Sequence, residues 1–454
     1  MNTPICDFVG RYADEGMVRM HMPGHKGACI LGAEPRDITE IDGADVLYDS
    51  HGIIRESEDN AAELFGTART VYSAEGSSLA IRAMLFLAMQ TKKGSKRATV
   101  LAARNAHKAF VSAAALLDLD VRFMYSKKNE SIVSCDICAE EVDAYLSECD
   151  STPAAVYLTS PDYLGNRLDI KGIAEVCHRH GTLLIVDNAH GAYLRFLKCS
   201  EHPIDLGADM CCDSAHKTLP VLTGGAYLHI SKNAPRFLCG RAESAMALFA
   251  STSPSYLILQ SLDMANKYIS DGYYERLGAV VSRLDKIKHK LLSAGFELAG
   301  DEPLKLTVAP KSYGYTGAEL AGELLLKGIV CEFSDADYAV MMTTPENSEE
   351  ELARLEAALL SLQKRPANES RMPALPHPER AMSIREAALS SWREVDVGDS
   401  VGEVLAQPSV SCPPAVPIVV CGERIDERTV SIFRYYGIER CKVVFDGMSE
   451  NTDE

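Results

Sequence analysis

The chain has 454 residues, with 46 Lys and Arg against 64 Asp and Glu, a formal net charge of −18, and 46% apolar residues. Enough apolar surface is available to bury large cores, which excludes global disorder, and no dense basic stripe is present, which argues against nucleic-acid binding. The length suggests two or three domains.

From the N-terminus, Met1 to Gly16 carries Asp7, Asp14 and Glu15 and lacks the apolar core of a signal peptide. No apolar run approaches the roughly 18 residues that a membrane span requires. Fourteen cysteines are scattered from Cys6 to Cys441, unlike the framework of a small secreted scaffold. A reducing, cytoplasmic setting is the expectation.

Residues 1–55 show little periodicity. Ser77 to Gln90 has helix-forming composition behind two serines that suit a helix start. Ala98 to Ala102 is short and apolar. Ala154 to Thr159 and Thr182 to Val186 are apolar runs of strand length, and Ile170 to His180 between them is helical in pattern. This alternation predicts an α/β fold with a mostly parallel sheet and right-handed crossovers. Tyr256 to Ser293 is long and predominantly helical in pattern. Phe296 to Pro310, Val330 to Phe333 and Tyr338 to Thr343 read as strands, with helices at Gly317 to Lys327 and Glu349 to Gln363. Pro366, Pro373, Pro376 and Pro378 then break the chain. A helix-like SIREAAL, the Pro-rich turn Pro408 to Pro417 and an acidic tail follow. The expected division is an N-terminal segment (1–55), a large domain (56–270), a smaller α/β domain (271–365), and a linker with a C-terminal subdomain or extension (366–454).

The strongest local signal is DSAHKTLPVLTGGAYLHI at 213–230. A lone lysine is ordinarily a solvated surface residue, so Lys217 gains meaning from its company. Asp187 follows directly on the apolar run 182–186, at the carboxyl end of a buried parallel strand, where α/β folds bind ligands; a helix N-cap is the plainer alternative. Val71 to Ser78 reads as strand end, glycine turn and helix start, a backbone suited to a phosphate. His107 lies just beyond another short strand. Pyridoxal phosphate (PLP) chemistry needs these parts: a lysine for the Schiff base, a carboxylate for the pyridine nitrogen, a phosphate cradle, and a flat group over the ring.

With HMPGHKG at 21–27, the glycine turn at 75–78, His107, TSPDYLG at 159–165, DNAHGAY at 187–193, SAHKTLP at 214–220, STSPSY at 251–256, and PPAVP with CGERI at 413–425, the sequence resembles the Orn/Lys/Arg decarboxylase family. The resemblance implies a fold-type I PLP-dependent enzyme of the aspartate aminotransferase superfamily, in which 56–270 is the PLP-binding large domain and 1–55 contributes to the active site. Lys217 would form the Schiff base, Asp187 would partner the pyridinium nitrogen, and His107 would stack on the ring. Gly76, Ser77, Ser78, Ser214 and His216 would hold the phosphate, with Ser251 or Thr252 reaching it from a neighbouring subunit, and His190 would lie beside the cofactor. His21, His25 and Lys26 belong to a motif near the active-site entrance. The implied reaction is decarboxylation of lysine, arginine or ornithine to a polyamine-pathway amine, with a proton returned by Lys217 or His216. A homodimer or dimer of dimers, with the active site at the subunit interface, is expected. The chain starts almost at HMPGHK, so the N-terminal wing of larger members is expected to be missing.

Two residues depart from the family pattern. Ala215 stands where Thr or Val is common, and Glu75 stands where a small polar residue is common, so Glu75 must point away from the phosphate or be paired. Two other readings stay open: an aminotransferase, although Arg365 and Arg371 sit in or near the linker rather than in a carboxylate-binding motif, and a silent PLP-fold binding or regulatory protein. A metal site is not expected, since Cys135-Asp-Ile-Cys138 is a single pair and CHRH at 177–180 matches only loosely. Glu332, Asp335 and Asp337 could read a distal cation but fit a solvated loop better. Trp392 is expected to pack in the C-terminal subdomain. The acidic balance would suit a cationic substrate.

Overall fold

A computed structural model describes residues 1–92, 97–127, 131–407, 411–412 and 415–445. The chain divides into two units: Met1–Lys93, Ala154–Ser160 and Asp169–Ala279 form the first, and Gly94–Pro153, Pro161–Leu168 and Val280–Glu454 the second.

In the first unit the strands lie in the order Arg69–Ser73, Ala226–Ile230, Met210–Asp213, Leu183–Asp187, Ala155–Thr159. Ala226–Ile230 runs antiparallel to both its neighbours and the remaining strands share one direction. The mostly parallel sheet follows from sequence, because RTVYS, AVYLT, LLIVD and MCCD are buried almost throughout, as strands covered on both faces must be. Ser73, Thr159, Asp187 and Asp213 all end their strands at the same edge. The helix Ser77–Met89 leaves that edge through Gly76, whose φ of 72° is the left-handed turn that glycine supplies without strain.

One element differs from expectation. Residues 1–55 contain a helix, Pro4–Asp14, whose Ile5, Cys6 and Val9 make a short buried stripe and whose Cys6 N–H donates to Asp263 Oδ2 at 2.9 Å. A stripe this short in a Gly- and Asp-rich region gives no legible period. The stretch 256–293 is two helices, Tyr256–Ser270 and Tyr273–Ser293, parted where Gly272 takes φ 68°.

The second unit contains a parallel strand pair, Thr99–Ala103 and Asp120–Met124, and a four-stranded antiparallel sheet ordered Phe333–Ser334, Ala339–Met342, Lys305–Ala309, Glu297–Ala299. Its helices Gly317–Leu326 and Glu349–Leu360 start with capping boxes, Thr316 with Glu319 and Ser348 with Glu351. Toward the C-terminus, Trp392–Asp396 pairs antiparallel with Arg440–Val444 and the helix Glu427–Tyr435 packs its Phe433 into a core with Leu405, Val419 and Val443. Trp392 does not join that core. It is 45% exposed with Lys442 Nζ 4.0 Å from its ring, because the two-stranded ribbon turns that face outward. The acidic cluster is a solvated loop only in part, since Glu332 is exposed while the two aspartates are held in the structure. Asp335 is 8% exposed and accepts from the Asp337 and Tyr338 amides at 2.7 Å, while Asp337 pairs with Lys311 at 2.6 Å. Pro408, Pro413, Pro414 and the tail beyond 445 lie outside the described residues. Among the described residues no helix is long and apolar enough to cross a membrane, and every cysteine assigned is free.

Candidate active site

The carboxyl edge of the first unit's parallel strands gathers most of the residues singled out from sequence. Met210–Asp213 runs through Ser214 into a single helical turn, Ala215–Thr218, which presents Lys217. Leu183–Asp187 runs into the turn Asn188-Ala189-His190-Gly191, closed by the Gly191 N–H donating to Asn188 O at 2.8 Å. Lys217 Nζ and His190 Nε2 stand 2.9 Å apart. A Cβ on Gly191 would fall 2.0 Å from Asn188 Oδ1, so the tight turn that delivers His190 requires glycine.

Asp187 is 3% exposed. Tyr157, one strand over, donates its hydroxyl to Asp187 Oδ2 at 3.0 Å, and the Cys212 thiol lies 3.5 Å from Oδ1. Burial first, then the Asp187 charge, pushes both the Tyr157 phenol and the Cys212 thiol well above their ordinary values. Both therefore keep their protons and act as donors to the carboxylate.

On the neighbouring strand end, Ser214 Oγ lies 2.9 Å from Ser77 Oγ, which joins the segment leading to Lys217 to the first turn of the helix Ser77–Met89. Ser78 is the second residue of that helix. A Cβ on Gly76 would meet nothing within 4 Å, so the space in front of the helix N-terminus is open. Glu75 is paired, its Oε1 accepting the Ser251 N–H at 2.7 Å. Ser251 and Thr252 are exposed on that loop.

A family profile described as "Orn/Lys/Arg decarboxylase, major domain" matches residues 3–299. The chain belongs to the Orn/Lys/Arg decarboxylase family. It is similar to a protein named arginine decarboxylase from Halalkalibacterium halodurans, 29% identical with 95% of this chain and 93% of the relative covered, and to one of that name from Bacillus subtilis, 28% identical over 94% and 92%. Among solved structures, the lysine decarboxylase of Francisella novicida superposes with a TM-score of 0.79 at 16% identity, covering 98% of this chain and 81% of that one. The fold is that of fold-type I PLP enzymes, and the chain is an amino-acid decarboxylase.

The family and fold imply PLP, and the decarboxylase has the donor set for it: an amine, a buried carboxylate at a strand end, and a helix N-terminus with hydroxyls beside an open glycine. Lys217, Asp187, Gly76, Ser77, Ser78, Ser214 and His190 are brought to one edge of the sheet. His216 points its Nδ1 to Gly225 O at 3.0 Å, which anchors the lysine turn to the following loop. His107 lies in the second unit and caps the helix Lys108–Leu117, its Nδ1 accepting the Ala109 N–H at 3.1 Å. The HMPGHK segment is tied to its flanks and to itself: His21 to Tyr12 at 2.5 Å, His25 to Asp37 at 3.2 Å, and Lys26 Nζ to His21 O at 2.5 Å.

Reading along the sequence missed the residues that hold these groups: Tyr157 and Cys212 on Asp187, and behind them Asn188, Asp213, His202 and His229. Tyr157 had a faint signal, a polar hydroxyl in the middle of an otherwise apolar strand.

Proposed function

We propose that this decarboxylase removes the α-carboxylate of a basic amino acid with PLP, releasing CO2 and the corresponding amine, and that arginine is the first substrate to test. The observation that carries the assignment is the 2.9 Å approach of Lys217 Nζ to His190 beside the Asp187 strand end. The two arginine decarboxylases above, covered over more than nine-tenths of their length, favour arginine over lysine or ornithine. In this reading Lys217 holds the cofactor covalently and Asp187 keeps a proton on its ring nitrogen. Gly76, Ser77, Ser78 and Ser214 hold the phosphate, and His107 takes the ring-stacking role on the resemblance alone. Bound there, PLP would supply an electron sink for the pair left as CO2 departs. His190 keeps the Lys217 amine oriented, and that amine is the group placed to return a proton to the α-carbon. Assembly as a homodimer, with the Ser251–Thr252 loop serving the neighbouring subunit, belongs to the same proposal.

The test is to incubate purified protein with arginine, lysine and ornithine and to measure CO2 and amine. Amine from one of them, lost in Lys217→Ala together with the visible cofactor absorbance, is the expected result. A keto acid in place of amine would assign an aminotransferase, and full turnover by Lys217→Ala would remove Lys217 from the reaction.

A further inference from the structure

Behind the active-site edge, within the first unit, one amide N–H and two imidazole nitrogens converge on one fully buried carboxylate. Asn188 Nδ2 donates to Asp213 Oδ1 at 2.7 Å, while His202 Nε2 and His229 Nε2 approach Asp213 Oδ2 at 3.0 and 3.3 Å. The side chains of Asp213, His202 and His229 have no solvent exposure. His229 is fixed in turn by Thr70 Oγ1, 2.8 Å from its Nδ1, and by Phe65, whose ring centroid is 4.5 Å away. Burial alone would raise the Asp213 carboxyl, but the two imidazoles hold it well below the usual carboxylate range, so it is ionised.

Its position gives this anion a consequence at the site. Asp213 is followed by Ser214, which touches Ser77, and by the turn carrying Lys217. Asn188 follows Asp187 and opens the turn carrying His190. Asp213–Asn188 is therefore a side-chain link between the strand end that delivers Lys217 and the strand end that delivers Asp187 and His190. The geometry points to Asp213 as a positioning residue for the reaction: its carboxylate, braced by His202 and His229, locks Asn188 and thereby fixes the Lys217 amine against His190 and the cofactor. This inference rests on Lys217 being the cofactor lysine.

An amide replaces the carboxylate poorly, because it carries no charge and offers one oxygen in place of two. Asp213→Asn, Asn188→Ala and the double variant are compared as holoenzyme and apoprotein. Each single variant is expected to weaken PLP affinity about tenfold, to alter the visible absorbance of the bound cofactor, and to lower kcat roughly ten- to a hundredfold while KM stays within about threefold. Because the two residues act as one link, the double variant is expected to be no worse than the worse single variant. Wild-type PLP affinity and spectrum in both single variants, or losses that multiply in the double variant, would overturn the inference. So would one equivalent of zinc in the purified holoenzyme that disappears in His202→Ala, since His202, Cys211 and Asp213 have ligand atoms within 4.8 Å of one another. If Asp213→Asn does not fold, Asn188→Ala decides, since it keeps the buried carboxylate and both imidazoles and removes only the link. Failure of the wild-type protein to take up PLP would instead defeat the functional proposal.

Discussion

Replacing Tyr157 with Phe isolates one hydrogen bond to the proposed cofactor acid. Tyr157 is fully buried and donates to Asp187 Oδ2 at 3.0 Å, and Phe keeps the ring that fills the space. What remains on Asp187 is weaker, the Cys212 thiol at 3.5 Å and the Ala189 N–H at 3.3 Å. A buried hydrogen bond to a charged group is worth about 1.5–3 kcal/mol. At roughly 2–4 °C per kcal/mol for a unit of this size, the apoprotein Tm should fall by about 3–12 °C. In an Asp187→Asn background the same change removes only a bond between neutral groups, about 0.5–1.5 kcal/mol, leaving a coupling of about 1 kcal/mol. The assay is denaturant unfolding of the four apoproteins, with PLP affinity of the wild type and Tyr157→Phe alongside. Equal losses in both backgrounds, or a Tyr157→Phe protein within about 0.5 kcal/mol of wild type, would refute the argument that the hydroxyl supports the carboxylate.

Two further outcomes are expected in the second unit. Burial pushes Asp335 up to about 6, so between roughly pH 4 and 6 the folded state binds a proton that the unfolded chain has released, and this residue's contribution to stability falls as pH rises through that window. Asp335→Asn should flatten the fall by up to about 1.4 kcal/mol per pH unit in urea unfolding, and an unchanged slope would show that Asp335 does not hold the proton. Glu423 accepts from Arg104 at 3.3 Å, and Arg104 also donates to Pro417 O at 3.1 Å and Ile418 O at 2.7 Å, with both charges nearly buried. Glu423→Ala leaves the guanidinium uncompensated and should destabilise the unit by about 3–5 kcal/mol; a loss under about 1 kcal/mol would mean that water replaces the carboxylate.

The parallel strands, the glycine turn and the Lys217 segment were legible because each is written locally, as an apolar run ending in a polar residue or as a left-handed glycine before serines. The family motifs added His190, which the structure sets against Lys217. The supports were not legible. His202, Asp213 and His229 come from a loop and two strands, and only the antiparallel pairing of Met210–Asp213 with Ala226–Ile230 brings two of them together. The burial of Asp335 escaped for a different reason. A short acidic stretch looks the same whether its carboxylates face water or accept neighbouring amides in a turn.

Glu75 gives the proposed cradle an unusual make-up. Its side chain, two residues before Ser77, is committed to the Ser251 amide. A phosphate at the Ser77 end of the helix would meet a favourable dipole, but Glu75, engaged with Ser251, adds no donor to it, so the cradle alone would be a weak anchor. Under the proposed assignment, retention of the cofactor would then lean on Lys217 and Asp187. In such a site the covalent link would be as much a tether as a reactive group.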